Sequence, residues 1–230
     1  MEKPIIFSTP MVKAIIEGRK TQTRRVIKPQ PEMEGGIIQN GILYRYLPGN
    51  ELDMNNPIKA KYQFGDILWV RETWQHAYNT DDNDQIIEST GRYLYAANPE
   101  DHCAFSHWVD RDTGVHKESM PWKPSIFMPR KAARIFLEVL SIRAEQLWSI
   151  TESDAKKEGV SPISPLDLKQ MPMSIIEPGG KYGKGTVLKS SYKAAFYELW
   201  DSLNAKRGYD WNSNPWVWVY EFKRVEEIEK

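Results

Sequence analysis

The chain has 230 residues, of which 40% are apolar and 27% charged, enough apolar material for one enlarged domain with its own core and too much for a disordered chain. Lys plus Arg and Asp plus Glu both number 31, so no global field draws the chain to polyanions or to a membrane surface. The lone cysteine, Cys103, excludes an intramolecular disulfide and suits a reducing cytoplasm, and no stretch has the apolar length of a signal-peptide core or a membrane span.

The charge is unevenly placed. Residues 1–30 carry seven basic against two acidic side chains, a local balance of +5, whereas residues 75–118 carry nine acidic against three basic ones, a balance of −6. A neutral protein with a basic end and an acidic middle can hold an anion at one place without adhering to polyanions everywhere.

In chain order, Ser8-Thr9-Pro10 followed by Met11, Val12, Ala14, Ile15 and Ile16 and then Gly18 predicts a short helix. Ser8 or Thr9 caps it, Pro10 sits near its first position and Gly18 stops it. Residues 20–26 alternate with period two and predict a strand that puts Thr21, Thr23 and Arg25 on one face. Residues 28–63 are rich in Pro, Gly and Asn and read as loop and hairpin decoration. Phe64-Gly65-Asp66 marks a turn that launches a strand over Ile67–Trp74. Residues 92–97 read as a further strand, and 98–130 as a long irregular stretch.

Residues 133–147 predict a strand, and Thr151 through Gly159 a compact helix with Thr151 as cap, Asp154 completing a variant capping box and Gly159 as stop. Residues 160–188 form a second Pro/Gly-rich insertion. A helix over about 190–204 puts Ala194, Ala195, Leu199 and Leu203 on or near one face beside Tyr192, Phe196 and Trp200. The last strand runs from Trp216 to Lys223. Short strands with small helices between them suggest a compact, partly open β-barrel rather than a doubly wound sheet. No GxGxxG or GxxxxGK[ST] occurs, so dinucleotide and P-loop readings have no support.

The most unusual local feature is Gly18-Arg19-Lys20-Thr21-Gln22-Thr23-Arg24-Arg25, with four cations and two hydroxyls in eight residues. Composition alone allows a solvated basic strand there. His102, Cys103, His107 and His116 invite a zinc reading, but their spacings match no usual Cys/His module, so neither metal nor cofactor is expected.

Gly18-x-Lys20-x-x-Thr23-x-Arg25 after a short helix resembles the signature of the ASCH domains, small β-barrels of the PUA-like superfamily linked to RNA. Their commoner form has Glu where this chain has Thr23. Thr in a GRKTxT run is similar to the small bacterial ASCH proteins that act as acetylcytidine amidohydrolases. Phe64–Leu68, Ile150–Glu158 and Val219–Lys223 resemble further blocks of the family in the same order. The whole chain is also similar to longer ASCH-type proteins of phages and prophages, through KPIIFSTPMVKAI, GDILWVRETW, WKPSIFMPR and SNPWVWVYEF. It differs from those in having Phe127 where they often carry His and Lys131 where they carry Trp.

The resemblance implies an α+β fold, a PUA-like/ASCH small β-barrel decorated with short helices. It implies a single domain over 1–230 with insertions at about 28–63, 75–130 and 160–188, in a bacterial or phage-infected cytoplasm. It also implies a catalytic set of Lys20, Thr23 and Glu158. Amide hydrolysis needs a nucleophile, a group that takes and returns its proton, and a donor for the oxyanion. Thr23 suits the first role. Lys20 suits the second if burial and neighbouring arginines lower its pKa, and the third if it stays a cation. Glu158 orients Lys20 or protonates the leaving amine. Arg25 and Arg24 are substrate-binding candidates or structural ion pairs, and Trp69, Trp74 and Tyr95 are candidates for stacking a base or for the core.

Three functions follow as expectations. The first is an amidohydrolase that removes an acyl group from a modified cytidine or related nucleoside. The second is an RNA-binding module holding single-stranded RNA through the Arg19–Lys28 segment. The third is an ASCH-type ribonuclease that needs no metal.

Overall fold

The computed structural model describes residues 1–31, 36–39, 41–46, 51–81, 83, 85–102, 108–109, 116–117, 122–163 and 191–225. The strands are β1 (Glu2–Ile6), β2 (Gln22–Val26), β3 (Gly36–Gln39), β4 (Ile42–Arg45), β5 (Ile58–Lys59), β6 (Ile67–Arg71), β7 (Trp74–Thr80), β8 (Ile86–Tyr95), β9 (Trp108–Val109), β10 (His116–Lys117), β11 (Phe136–Gln146) and β12 (Trp216–Val225). The helices are α1 (Thr9–Ile16), α2 (Pro99–His102), α3 (Glu152–Lys157) and α4 (Ser191–Asn204). The fold is α+β, and among the described residues no helix is long and apolar enough to cross a membrane.

A mixed five-stranded sheet in the order β1-β6-β11-β12-β2 forms its centre. β1 pairs parallel to β6, and the other neighbours are antiparallel. Among the described residues the sheet is open, with β1 and β2 at its two edges. Smaller sheets lie within two of the expected insertions: β3-β4-β5 in 28–63, and the β7–β8 hairpin with β9–β10 in 75–130. Most of the 160–188 insertion, from residue 164 on, lies outside the described residues.

β12 shows why its sequence makes the middle of this sheet. Trp218, Tyr220 and Phe222 enter one core with Phe7, Val12, Leu68, Val70 and Leu137. Val217 and Val219, on the opposite face, enter a second core with Leu147, Ala155, Phe196, Trp200 and Trp211. A strand covered on both faces is apolar at consecutive positions, and each such side chain contributes about 1.5–3 kcal/mol on burial. α1 covers the first face and α3 with α4 the second.

Several expectations hold. Ser8 is the N-cap of α1 with Pro10 in the first turn, although its hydroxyl makes no capping hydrogen bond. Thr151 and Asp154 form the capping box of α3. Others change. The strand expected over 67–74 is two strands, because after Arg71 the chain leaves the central sheet: Glu72 is buried against Arg134, with Nε to Oε1 at 2.9 Å, and Trp74 exchanges backbone bonds with Lys123 instead. The strand expected over 92–97 begins at Ile86, as the partner of β7. Leu203, expected on or near one face with Ala194, Ala195 and Leu199, is 49% exposed, whereas Ala194 is buried.

Candidate functional site

The site forms where the edge strand β2 meets the end of α3. Gly18 (φ +73°) ends α1 and turns the chain so that Lys20 forms an isolated bridge with Glu158, the C-cap of α3. Gly159 follows with φ +83°, and a Cβ there would stand 2.6 Å from Lys20 Cβ and 2.9 Å from Ala14 Cβ. Only glycine satisfies both the left-handed backbone and so close an approach. Thr21 N–H closes the junction by donating to Lys157 O.

The Lys20 side chain is buried, and its ammonium donates to Gln22 O (2.7 Å), Glu158 O (2.8 Å) and Glu158 Oε2 (2.9 Å). Burial lowers its pKa; Glu158 opposes that shift, while Arg25 and Arg24 add to it. The other oxygen of Glu158 accepts from Arg24 Nη1 at 3.0 Å, and Arg24 Nη2 reaches Glu145. Arg24 is enclosed by carboxylates on one side and by the Phe196 ring, 5.7 Å from its Cζ, on another; among the described residues its Nε has no hydrogen-bond partner. The Gln22 amide fits when its oxygen accepts from Arg24 Nη1 (2.6 Å) and its nitrogen donates to Asp154 and Glu221.

Thr23 and Arg25 lie on the opposite face of β2 from Gln22 and Arg24. Thr23 is buried, and among the described residues no hydrogen bond engages its hydroxyl. Arg25 donates from Nη2 to Ile6 O (2.8 Å) and lies over the Phe7 ring, 5.3 Å from Cζ to the centroid. Burial and, more weakly, the like charge of Arg207 pull its pKa down, against the opposing influence of Tyr62, Glu158 and Tyr220.

All five residues, Lys20, Thr23, Arg24, Arg25 and Glu158, line one pocket of about 580 Å³ that wraps the free edge of β2. The walls are Phe7 and Met11 on the α1 side and Phe196, Trp200 and Tyr209 on the α4 side. The backbone supplies further donors. Phe222 N–H bonds to Thr21 O and Ile27 N–H to Trp216 O, so residues 21, 23, 25 and 27 face β12, whereas the N–H and C=O groups of Arg24 and Val26 point off the open edge. Such an edge has unpaired groups to offer a ligand.

The expected stacking residues Trp69, Trp74 and Tyr95 are not in this pocket. They belong to a separate cluster with Met128, Ala132 and Phe136, at β6, β7 and β8. Tyr95 OH donates to Ala132 O (2.8 Å) beneath the Arg134 guanidinium, and Trp69 carries Arg71 over its ring. The aromatic residues that do line the pocket, Phe7, Phe196, Trp200 and Tyr209, come from segments about 190 residues apart. Of the Arg19–Lys28 cations, Arg19 is held by Glu17 and Gly159 O; the other four line the pocket, Lys20 and Arg24 buried and paired with carboxylates. Cys103 and His107 lie outside the described residues, and His102 Nε2 is within hydrogen-bond distance of Ala96 O (2.9 Å). Among the described residues no group of three His, Cys, Asp or Glu side chains is arranged to hold a metal.

No protein-family model, curated protein or solved structure matches the chain.

Proposed function

We propose that the chain is an ASCH-type protein with a partly open, PUA-like barrel, and an amidohydrolase that removes an acyl group from the exocyclic amine of a modified cytidine or related nucleoside. The observation that carries the reading is the convergence of the unengaged Thr23 hydroxyl with the buried Lys20–Glu158 pair on one nucleoside-sized pocket.

In this reading Thr23 Oγ attacks the amide carbonyl and its proton passes to neutral Lys20 Nζ. The depressed pKa of Lys20 brings the neutral amine within reach below the ordinary lysine range. Glu158 is a positioning residue, since its two oxygens hold Lys20 and Arg24. The oxyanion is met by the free N–H at the open edge of β2 beside Thr23. Collapse breaks the C–N bond, the leaving amine takes the proton back from Lys20, and water then hydrolyses the Thr23 ester by the same proton route. Because the neutral amine is the working form, turnover rises with pH through the Lys20 value.

The test is conversion of acetylcytidine to cytidine. Thr23→Val is expected to lower turnover by about a thousandfold or more while Thr23→Ser retains part of it, with circular dichroism confirming that both fold. Turnover unchanged in Thr23→Val would remove Thr23 as nucleophile. No turnover by the wild-type chain at high enzyme concentration would favour RNA binding or metal-independent RNA cleavage, in which Lys20, Thr23 and Glu158 form a nucleotide pocket without this chemistry.

A further inference from the structure

The pocket carries more positive charge than its own carboxylates neutralise. Its charged lining comprises Lys20, Arg24, Arg25, Lys28 and Arg207 against Glu158 alone among the described residues. Lys20 and Arg24 are matched by Glu158 and Glu145. Arg25, Lys28 and Arg207 have no carboxylate partner among the described residues.

Two of these three cations are braced by aromatic rings. Arg25 lines the pocket, braced on the Phe7 ring and on Ile6 O, so among the described residues one of its five N–H donors is engaged. Lys28 Nζ lies 5.1 Å from the centroid of Tyr209, itself part of the lining. Arg207 ends the short turn after α4 (Ala205–Arg207), stopped by Gly208 at φ +80°, and lies near enough to Arg25 for their charges to repel. Three unneutralised cations on one concave surface call for a compact anion of high charge. A phosphate monoester, close to dianionic at neutral pH, supplies both that charge and oxygens for a guanidinium fork.

We propose that Arg25, Lys28 and Arg207 form a phosphate-monoester subsite, so that the substrate is a mononucleotide rather than a free nucleoside. This rests on the hydrolase reading for the base and acyl group, but the phosphate is argued from the cations alone. The volume of about 580 Å³ suits one nucleotide, and the remaining cations of the Arg19–Lys28 segment are tied to Glu17, Glu158 and Glu145. An anion seated there also relieves the repulsion between Arg25 and Arg207.

Titration calorimetry on the full chain compares cytidine monophosphate with cytidine. The monophosphate is expected to bind about tenfold or more tightly, with the gap narrowing as salt rises. Arg207→Gln and Lys28→Gln, both at exposed positions, are each expected to weaken monophosphate binding about threefold to tenfold and to leave cytidine binding unchanged. Equal affinity for the two ligands, or binding of neither, overturns the subsite. Tighter binding of a single-stranded RNA oligomer than of the monophosphate overturns the mononucleotide assignment in favour of RNA. Deacylation without a phosphate preference keeps the hydrolase and removes the subsite, and a phosphate preference without deacylation does the reverse.

Discussion

Lys20 and Arg24 stand within eight residues of Arg25 and Lys28 in the chain, yet the two pairs differ in their charged partners. All four line the cavity, but Lys20 and Arg24 are buried and paired with Glu158 and Glu145, whereas Arg25 and Lys28 lie over aromatic rings with no carboxylate partner among the described residues. The alternation of β2 accounts for much of this, since it sends Arg24 toward the carboxylates on the α3 side and Arg25 toward α1. Nearby residues of like charge are thus divided between those that meet carboxylates and those that meet none among the described residues, and only the partners tell them apart.

The sharpest way to break this contrast is Glu158→Gln, which leaves Lys20 and Arg24 buried without their shared carboxylate. It is expected to cost about 3–5 kcal/mol, read by urea denaturation; a loss below about 1 kcal/mol would show that the pair is not structural. Gly159→Ala comes next, at about 2 kcal/mol or more, because it forces a Cβ into left-handed backbone against Lys20 and Ala14. Its thermal unfolding midpoint should fall, and with it any turnover that depends on Lys20. The smallest effect on stability is expected for Arg25→Gln, below about 1 kcal/mol, since it loses one bond to Ile6 O and no buried ion pair. A loss as large as that of Glu158→Gln would place Arg25 with the structural cations.

Local signals in the sequence announced the elements that frame the site. Pro10 and Gly18 bounded α1, Thr151 and Asp154 opened α3, Gly159 closed it, and the alternation over 20–26 gave β2 and its two faces. The grouping of Lys20, Thr23 and Glu158 was legible only through the family resemblance, because no local pattern relates residues 138 positions apart. The α4 wall was not legible: Phe196, Trp200 and Arg207 reach the pocket through the pairing of β2 with β12, which periodicity does not reveal. Trp69, Trp74 and Tyr95 misled for a related reason. An aromatic residue on a strand declares that it will be covered, not which of several cores will cover it. The break between β6 and β7 was hidden because Glu72 reads as a tolerable strand residue until Arg134 is seen to claim it.

The strand order β1-β6-β11-β12-β2 also fixes a schedule for the chain. Among the described residues β2 has one strand partner, and that partner lies far downstream, so Gln22–Val26 must wait some 190 residues before its ladder can close. Until then its backbone groups are unpaired on both sides and available to other chains. Contacts of such long range make assembly slow, and the pocket, built on that ladder, is among the last features to form. A chain ending before Trp216 would retain Lys20, Thr23, Arg25 and Glu158 in its sequence and still lack the strand that holds β2 in the sheet.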